Sequence, residues 1–236
     1  MMQDIPHQWL YPQNLEEAAA VQRLLAERVS LQDDSTPVET LAGVDVSNNL
    51  RDPDNMIYAA VVTLNFPFLK VTDKAGMDQQ AQFPYIPGFL GFREAPAIVE
   101  AFQKLAHPPD LILVDGHGIS HPRRLGIASH LGVLLDRPTI GVAKSVLVGK
   151  PSGELGPEPG DSVPLLWKGQ QIGMVLRTKR RANPLYISPG HKISLPTAID
   201  WVLKCLTGYR LPEPTRQAHL AANEFRRQAQ PVSGLF

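Results

Sequence analysis

The sequence predicts an α/β domain, a mixed sheet with helices on both faces, and two patterns carry that expectation. Short apolar segments near the front are separated by turn chemistry and read as a meander of consecutive strands. Further along, continuous apolar runs alternate with helical stretches, as buried parallel strands do with their crossovers. The order of the strands does not follow from pattern alone. A chain of 236 residues is long enough for one large domain with a buried core. A single domain over residues 1–236 is expected, although two smaller ones would also fit that length.

Each element has a local reason. Asn14, with Glu17 three residues on, has the form of a helix N-cap, and Ala18, Val21, Leu24, Leu25 and Arg28 follow at helical spacing. Three apolar segments come next, at Leu41–Val46, Met56–Leu64 and Phe66–Val71, and SNNLRDPDN between the first two makes them antiparallel neighbours. The prolines and glycines of FPYIPGFLGF forbid a long regular element, and a helix is expected near Arg93–Leu105. Leu111–Val114 reads as a buried strand, followed by the glycine-rich DGHGISHP, a helix over Leu125–Leu135 and a strand over Thr139–Val142. Two further strands, Val163–Trp167 and Gln171–Arg177, and two helices, near Leu195–Thr207 and Pro214–Gln228, complete the chain. A meander followed by β-α-β units is the ribonuclease H-like layout.

Composition narrows the setting. The N-terminal residues lack a secretory layout, no apolar run approaches a membrane span, and the 22 prolines punctuate loops. The single cysteine, Cys205, rules out an intrachain disulfide and a cysteine-rich zinc site, so a cytoplasmic protein is expected. Net charge is zero, which argues against gripping nucleic acid by bulk electrostatics. The distribution differs: residues 1–60 hold ten acids against three bases, whereas residues 116–192 hold eleven bases against four acids. Lys168 to Lys192 contains six bases and no acid, a reasonable platform for a strand backbone. A solvated basic surface accounts for the counts equally well.

Two aspartates stand where carboxylates are costly. Asp45 interrupts an apolar strand, and Asp115 ends one, at the edge where open α/β sheets place ligands. Neither has a local Lys or Arg beside it. Glu94, near the start of a helix, is a third oxygen donor. Capping of backbone groups would explain any one of these alone, but three uncompensated carboxylates call for a common partner. A divalent cation is the economical one. Hard oxygen donors select Mg²⁺, with Mn²⁺ as substitute, and such ions suit phosphoryl chemistry. A zinc site built on His117 and His121 is the less favoured alternative. His121 could touch a phosphate or assist proton transfer, and Lys144 could stabilise an oxygen or simply be solvated. His219 is the weakest candidate, a lone helical histidine. Tyr85 is a corner packer or a stacking wedge.

The segments AGVDVS, PYIPGFLGFREAPA, LILVDGHGISHPRRLGIASHLG, PTIGVAKSVLVGK and GYRLPEPTR, in this order over about residues 41–220, together resemble endonuclease V of bacterial type. The resemblance implies a Mg²⁺-dependent DNA repair enzyme that recognises deaminated purines such as inosine and hydrolyses the second phosphodiester 3′ to the lesion. It implies metal binding by Asp45, Glu94 and Asp115, and catalytic parts for Lys144, His121 and His219, the last as a ligand or proton carrier. Tyr85 matches the family's wedge, with Pro84, Ile86 and Pro87 around it. The lesion pocket maps to Gly88, Leu90, Gly116, Gly118, Gly126, Ile127, Ala143 and Leu147, where small residues let backbone approach a flat base. The partners implied are DNA with deaminated bases and, as a second substrate, inosine-containing RNA, acted on by a monomer. Two other readings share the fold: a different ribonuclease H-like metal nuclease, and a non-catalytic nucleic-acid-binding module.

Overall fold

The computed structural model describes residues 5–49 and 52–229. Its strands are β1 (Thr40–Asn48), β2 (Met56–Asn65), β3 (Val71–Gln80), β4 (Leu111–Val114), β5 (Thr139–Ala143), β6 (Lys150–Pro151), β7 (Ser162–Trp167), β8 (Gln170–Leu176) and β9 (Leu185–His191). The helices are α1 (Leu15–Ala26), α2 (Leu90–Gln103), α3 (Ile127–Leu135), α4 (Leu195–Lys204) and α5 (Glu213–Ala229). Among the described residues the strands form one sheet, in the order β3-β2-β1-β4-β5-β9-β8-β7-β6. Antiparallel β1–β3 flank the parallel set β1, β4 and β5, as the ribonuclease H-like expectation requires.

Side-chain alternation assigns the helices to faces. Ala42, Val44, Ile112 and Val114 point to the face covered by α2 and α3. Leu41, Leu111, Leu113, Ile140 and Val142 point the other way, against Ala198 and Val202 of α4. Helix α5 lies on that second face, its Ala218, Ala221 and Ala222 against Ala60, Val62 and Leu64 of β2. Small residues on both partners bring helix and sheet close. The cap on α1 forms as expected: Asn14 Oδ1 accepts the Glu17 N–H at 2.9 Å, and Glu17 Oε2 accepts the Gln13 N–H at 2.7 Å.

Two expectations need correction. The third apolar segment, Phe66–Val71, is mostly a turn, closed by the Leu69 N–H to Asn65 oxygen bond at 2.8 Å, and Phe66 packs edge-on against Trp201 at 5.0 Å. The strand that completes the meander is β3, a polar, largely exposed segment beside β2. An edge strand with one solvated face needs no apolar run, so it carries little signal. The second correction is β9, which falls inside the basic stretch expected only as a platform. Its Pro189 and Gly190 argue against an interior strand, yet it pairs with both β5 and β8. The register shift between Thr139 and Ile140, opposite Pro189, accommodates the missing N–H. The Pro189 carbonyl still accepts the Ile119 N–H at 2.9 Å. The two-residue β6 has no counterpart among the expected strands.

Candidate active site

Strand register brings the acidic residues together. Val44 pairs with Val114 in the parallel β1–β4 ladder, and the Asp115 N–H donates to the Val44 carbonyl at 2.9 Å. Asp45 and Asp115 are therefore neighbours across the ladder. Parity turns both toward the α4–α5 face, and it turns Lys144, one residue past β5, the same way. Lys144 Nζ forms an ion pair with Asp115 Oδ2. Helix α5 delivers His219, whose Nδ1 lies 2.7 Å from Asp45 Oδ2. A carboxylate only accepts, so Nδ1 carries the proton, and Nε2 faces the Asn223 amide at 3.2 Å. Asn223 Oδ1 accepts in turn from Ser47 Oγ at 2.8 Å. The aspartates thus have partners that the sequence does not reveal, because those partners are near only after folding.

Burial and charge crowding act together at Glu94. Its pKa rises from the ordinary 4.5 to about 8, first because water is excluded and second because Asp45 and Asp115 repel its ionised form. Asp115 is also pushed up, by burial and then by Asp45, with Lys144 pulling the other way. Asp45, Asp115 and His219 each offer a ligand atom, all within 4.8 Å of one another. Two hard oxygens and an imidazole at that spacing, with a third carboxyl held protonated first by burial and then by its neighbours' charge, fit a divalent cation. The zinc alternative finds no support: His117 Nδ1 is 2.9 Å from Ser120 Oγ, and neither His117 nor His121 belongs to the cluster.

Above the carboxylates opens a cleft of about 340 Å³. Tyr85 stands at its mouth, 51% exposed, on a loop whose Phe83 is buried and whose Ile86 and Phe89 pack beside α1 and α2. Gly88, in the left-handed region at φ 81°, turns that loop into α2. Its carbonyl accepts three hydrogen bonds, from Gln22 Nε2 at 3.0 Å, His121 Nε2 at 3.0 Å and Arg123 Nη2 at 2.7 Å. Arg123 also bonds Gln22 Oε1 through Nε and covers the Phe89 ring at 4.2 Å. Because His121 Nδ1 accepts the Arg123 N–H at 3.2 Å, both its nitrogens are engaged. Burial pushes His121 down to about 4. This histidine is a neutral strut of the loop, which does not match a part in proton transfer.

The cleft wall contains Tyr85, Pro87, Gly88, Leu90, Glu94, Gly116, His121, Gly126, Ile127, Ala143, Lys144 and Leu147 of the expected residues. Pro84, Ile86, Gly118 and His219 do not line it. Gly118 is buried under the loop, where a Cβ would lie 2.1 Å from the Pro189 carbonyl. Its glycine serves packing on β9 and not approach to a ligand. Sequence reasoning missed Gln22, Val46, Gly91, Leu125, Ser145 and Val146 in the wall. Only Gln22 had a visible signal, a polar residue on the apolar side of its helix, 1% exposed.

The basic stretch divides in two. Arg177 bonds the carbonyls of Gly156 at 3.1 Å and of Ala182, and Lys192 pairs with Asp136 at 2.7 Å. These bases hold the fold. Lys179, Arg180 and Arg181 are exposed on the β8–β9 loop.

This sheet order, with Asp45 on β1 and Asp115 just past the end of the neighbouring β4, marks a nuclease of the ribonuclease H-like class. The chain belongs to the endonuclease V family, whose model matches residues 23–220. Endonuclease V of Protochlamydia amoebophila is 55% identical over 222 residues, covering 94% of this chain and 94% of that protein. The crystal structure of endonuclease V from Streptomyces avermitilis superposes with a TM-score of 0.87 at 39% identity, covering 95% and 97% of the two chains. Ciona intestinalis endonuclease V, solved with a 23mer DNA containing an inosine followed by a ribo-adenosine, superposes with a TM-score of 0.81 at 26% identity, covering 93% of this chain and 100% of that one.

Proposed function

We propose that this endonuclease recognises deaminated purines, inosine above all, in DNA and hydrolyses the second phosphodiester 3′ to the lesion. The observation that carries this is the Asp45–Asp115–His219 cluster, whose two aspartates line a cleft with Tyr85 at its mouth. The inosine-containing DNA bound by the Ciona relative supports the choice of lesion. Asp45 and Asp115 would hold the ion, with Glu94 and His219 beside them, and Mg²⁺ is the ion their oxygens suit, with Mn²⁺ as substitute. When bound, such an ion lowers the pKa of water and offsets charge developing on phosphate.

The protein's own groups supply the rest. The Lys144 ammonium, beside Asp115, places positive charge where a phosphate oxygen would enter. His219 keeps a proton at Nδ1, directed at Asp45. Gly116 and Gly126 let the wall pack closely, since a Cβ at the first would strike Ile127 and at the second the His117 carbonyl, and Tyr85 occupies the gap that extrusion of the nucleotide leaves in the stack. Among the described residues no helix is long and apolar enough to cross a membrane. A cytoplasmic monomer is proposed.

The test uses fluorescent duplexes with one inosine or none, a matching RNA, and Mg²⁺ or Mn²⁺. The expected result is one nick, displaced 3′ of the inosine, with the undamaged duplex intact; equal cutting of both would remove the lesion-directed reading. Asp45→Ala should reduce nicking by about 10²-fold or more while lesion binding remains measurable.

A further inference from the structure

We propose that the loop between β8 and β9 is a docking surface for the phosphodiester backbone flanking the cleavage site, made by Lys179, Arg180 and Arg181. This rests on the nuclease reading above and adds the surface that carries non-specific affinity. Topology puts the loop at the right edge. Ala143 pairs with Tyr186 and Leu176 with Leu185, so residues 177–184 lie beside the end of β5 that presents Lys144.

Arg210 ties the loop to that end. Its Nε donates to the Asn183 carbonyl at 2.8 Å, and its Nη2 reaches the carbonyls of Pro184 at 3.1 Å and Lys144 at 3.3 Å. The Arg210 carbonyl accepts from Thr178 Oγ1 at 2.6 Å. One arginine thus pins both ends of the basic loop and the backbone of the lysine that faces Asp115. The tip between these pins is exposed and carries three consecutive cations. Beside it Tyr209, 52% exposed, lies between Lys179 Nζ at 5.9 Å and Arg216 Cζ at 4.4 Å.

The acids nearby do not neutralise the tip. Glu213 is engaged by Arg216 at 2.6 Å and Gln217 at 2.6 Å. Glu158 meets Arg180 at 3.2 Å in a pair more than half exposed on both sides. Such a pair is worth little in water, and a phosphate can displace it. A polyanion with charges at regular spacing fits three adjacent cations on a rigid support. A lesion base would need an enclosing wall, and all three residues of the tip are exposed.

The test is a binding measurement with chelator present, so that no strand is cut. Affinity for inosine and control duplexes is followed against salt for the wild type and for the combined Lys179→Gln, Arg180→Gln and Arg181→Gln variant. Each phosphate that the protein no longer neutralises lowers the slope of log K on log salt by about 1. A slope shallower by about 2–3 is therefore expected, equally on both duplexes. Lys168→Gln, in the β7–β8 turn at the opposite end of β8, should leave the slope unchanged. An unchanged slope in the triple variant overturns the proposal, as does a loss confined to the inosine duplex or an equal effect per charge from Lys168→Gln. If the wild type nicks neither duplex when Mg²⁺ is restored, the lesion reading fails, while the control-duplex slopes still decide this one.

Discussion

The α-carbon of Gly43 packs against the carbonyl of Pro214 so closely that a Cβ there would lie 1.8 Å from the oxygen. That approach sets the height of α5 above β1, and α5 carries His219 to Asp45 two residues further along the strand. The atoms such a Cβ would meet, the oxygen and carbon of the Pro214 carbonyl, are backbone, so the helix must lift to admit a methyl. Gly43→Ala should cost about 1–3 kcal/mol or more, read as a lower urea midpoint. It should also lower nicking beyond what the lost stability explains, because His219 leaves Asp45. A variant with wild-type activity and stability would show that the helix does not depend on this glycine.

Glu94 makes the ion-free protein sensitive to base. Its folded pKa of about 8 lies above the ordinary 4.5, so between those values the folded state holds a proton that the unfolded state has released. Stability contributed this way is present at low pH and falls as pH rises toward 8. Asp115, also raised, acts in the same direction. His117, His121 and His130, all pushed down to about 4 by burial, oppose it below pH 6.5 but are neutral in both states above it. The clean window is therefore pH 6.5 to 8. Tm in chelator should fall across it, Glu94→Gln should flatten the fall, and saturating Mg²⁺ should reverse it, since binding requires the ionised form. A Glu94→Gln profile parallel to wild type would count against the crowding.

The parts legible in the sequence were those with local causes. The Asn14 cap, the apolar β4 and the helix after DGHGISHP needed only neighbouring residues. What escaped needed register. Asp115 is costly on sequence grounds alone, but Lys144 becomes its partner only through the β4–β5 ladder. His219 ranks last as a lone helical histidine, yet Asp45 lies 174 positions away in sequence and 2.7 Å away in space. Strand β9 escaped because Pro189 contradicts an interior strand, a conflict that the register shift in β5 resolves.

Gln22 links α1 to the loop of Tyr85 by donating to Gly88 and accepting from Arg123. Gln22→Ala would remove that acceptor from Arg123 Nε in a half-buried setting, at a cost of about 0.5–1.5 kcal/mol. The carboxylates would not be touched. KM for the inosine duplex should rise while kcat at saturation stays near wild type. Gln22→Glu, which keeps an acceptor for Arg123, should recover part of the loss. If kcat fell and KM held, the residue would belong to the chemistry and not to the loop.

Tyr85 is the remaining test of the cleft. Its ring is half exposed, while Phe83 two residues earlier is buried, so the loop presents an aromatic face to solvent on a fixed base. An exposed ring adds little to stability, and Tyr85→Ala should leave the urea midpoint within about 0.5 kcal/mol of wild type. Loss of stacking should weaken binding to the inosine duplex by about 1–3 kcal/mol, roughly 5- to 150-fold. Tyr85→Phe should restore most of it, because the π face does the stacking and the hydroxyl does not. Affinity for the undamaged duplex should hardly change, as the phosphate-facing loop lies on another element. A variant that lost stability and kept lesion affinity would make Tyr85 a packing residue, and discrimination would then rest on the backbone groups of the wall alone.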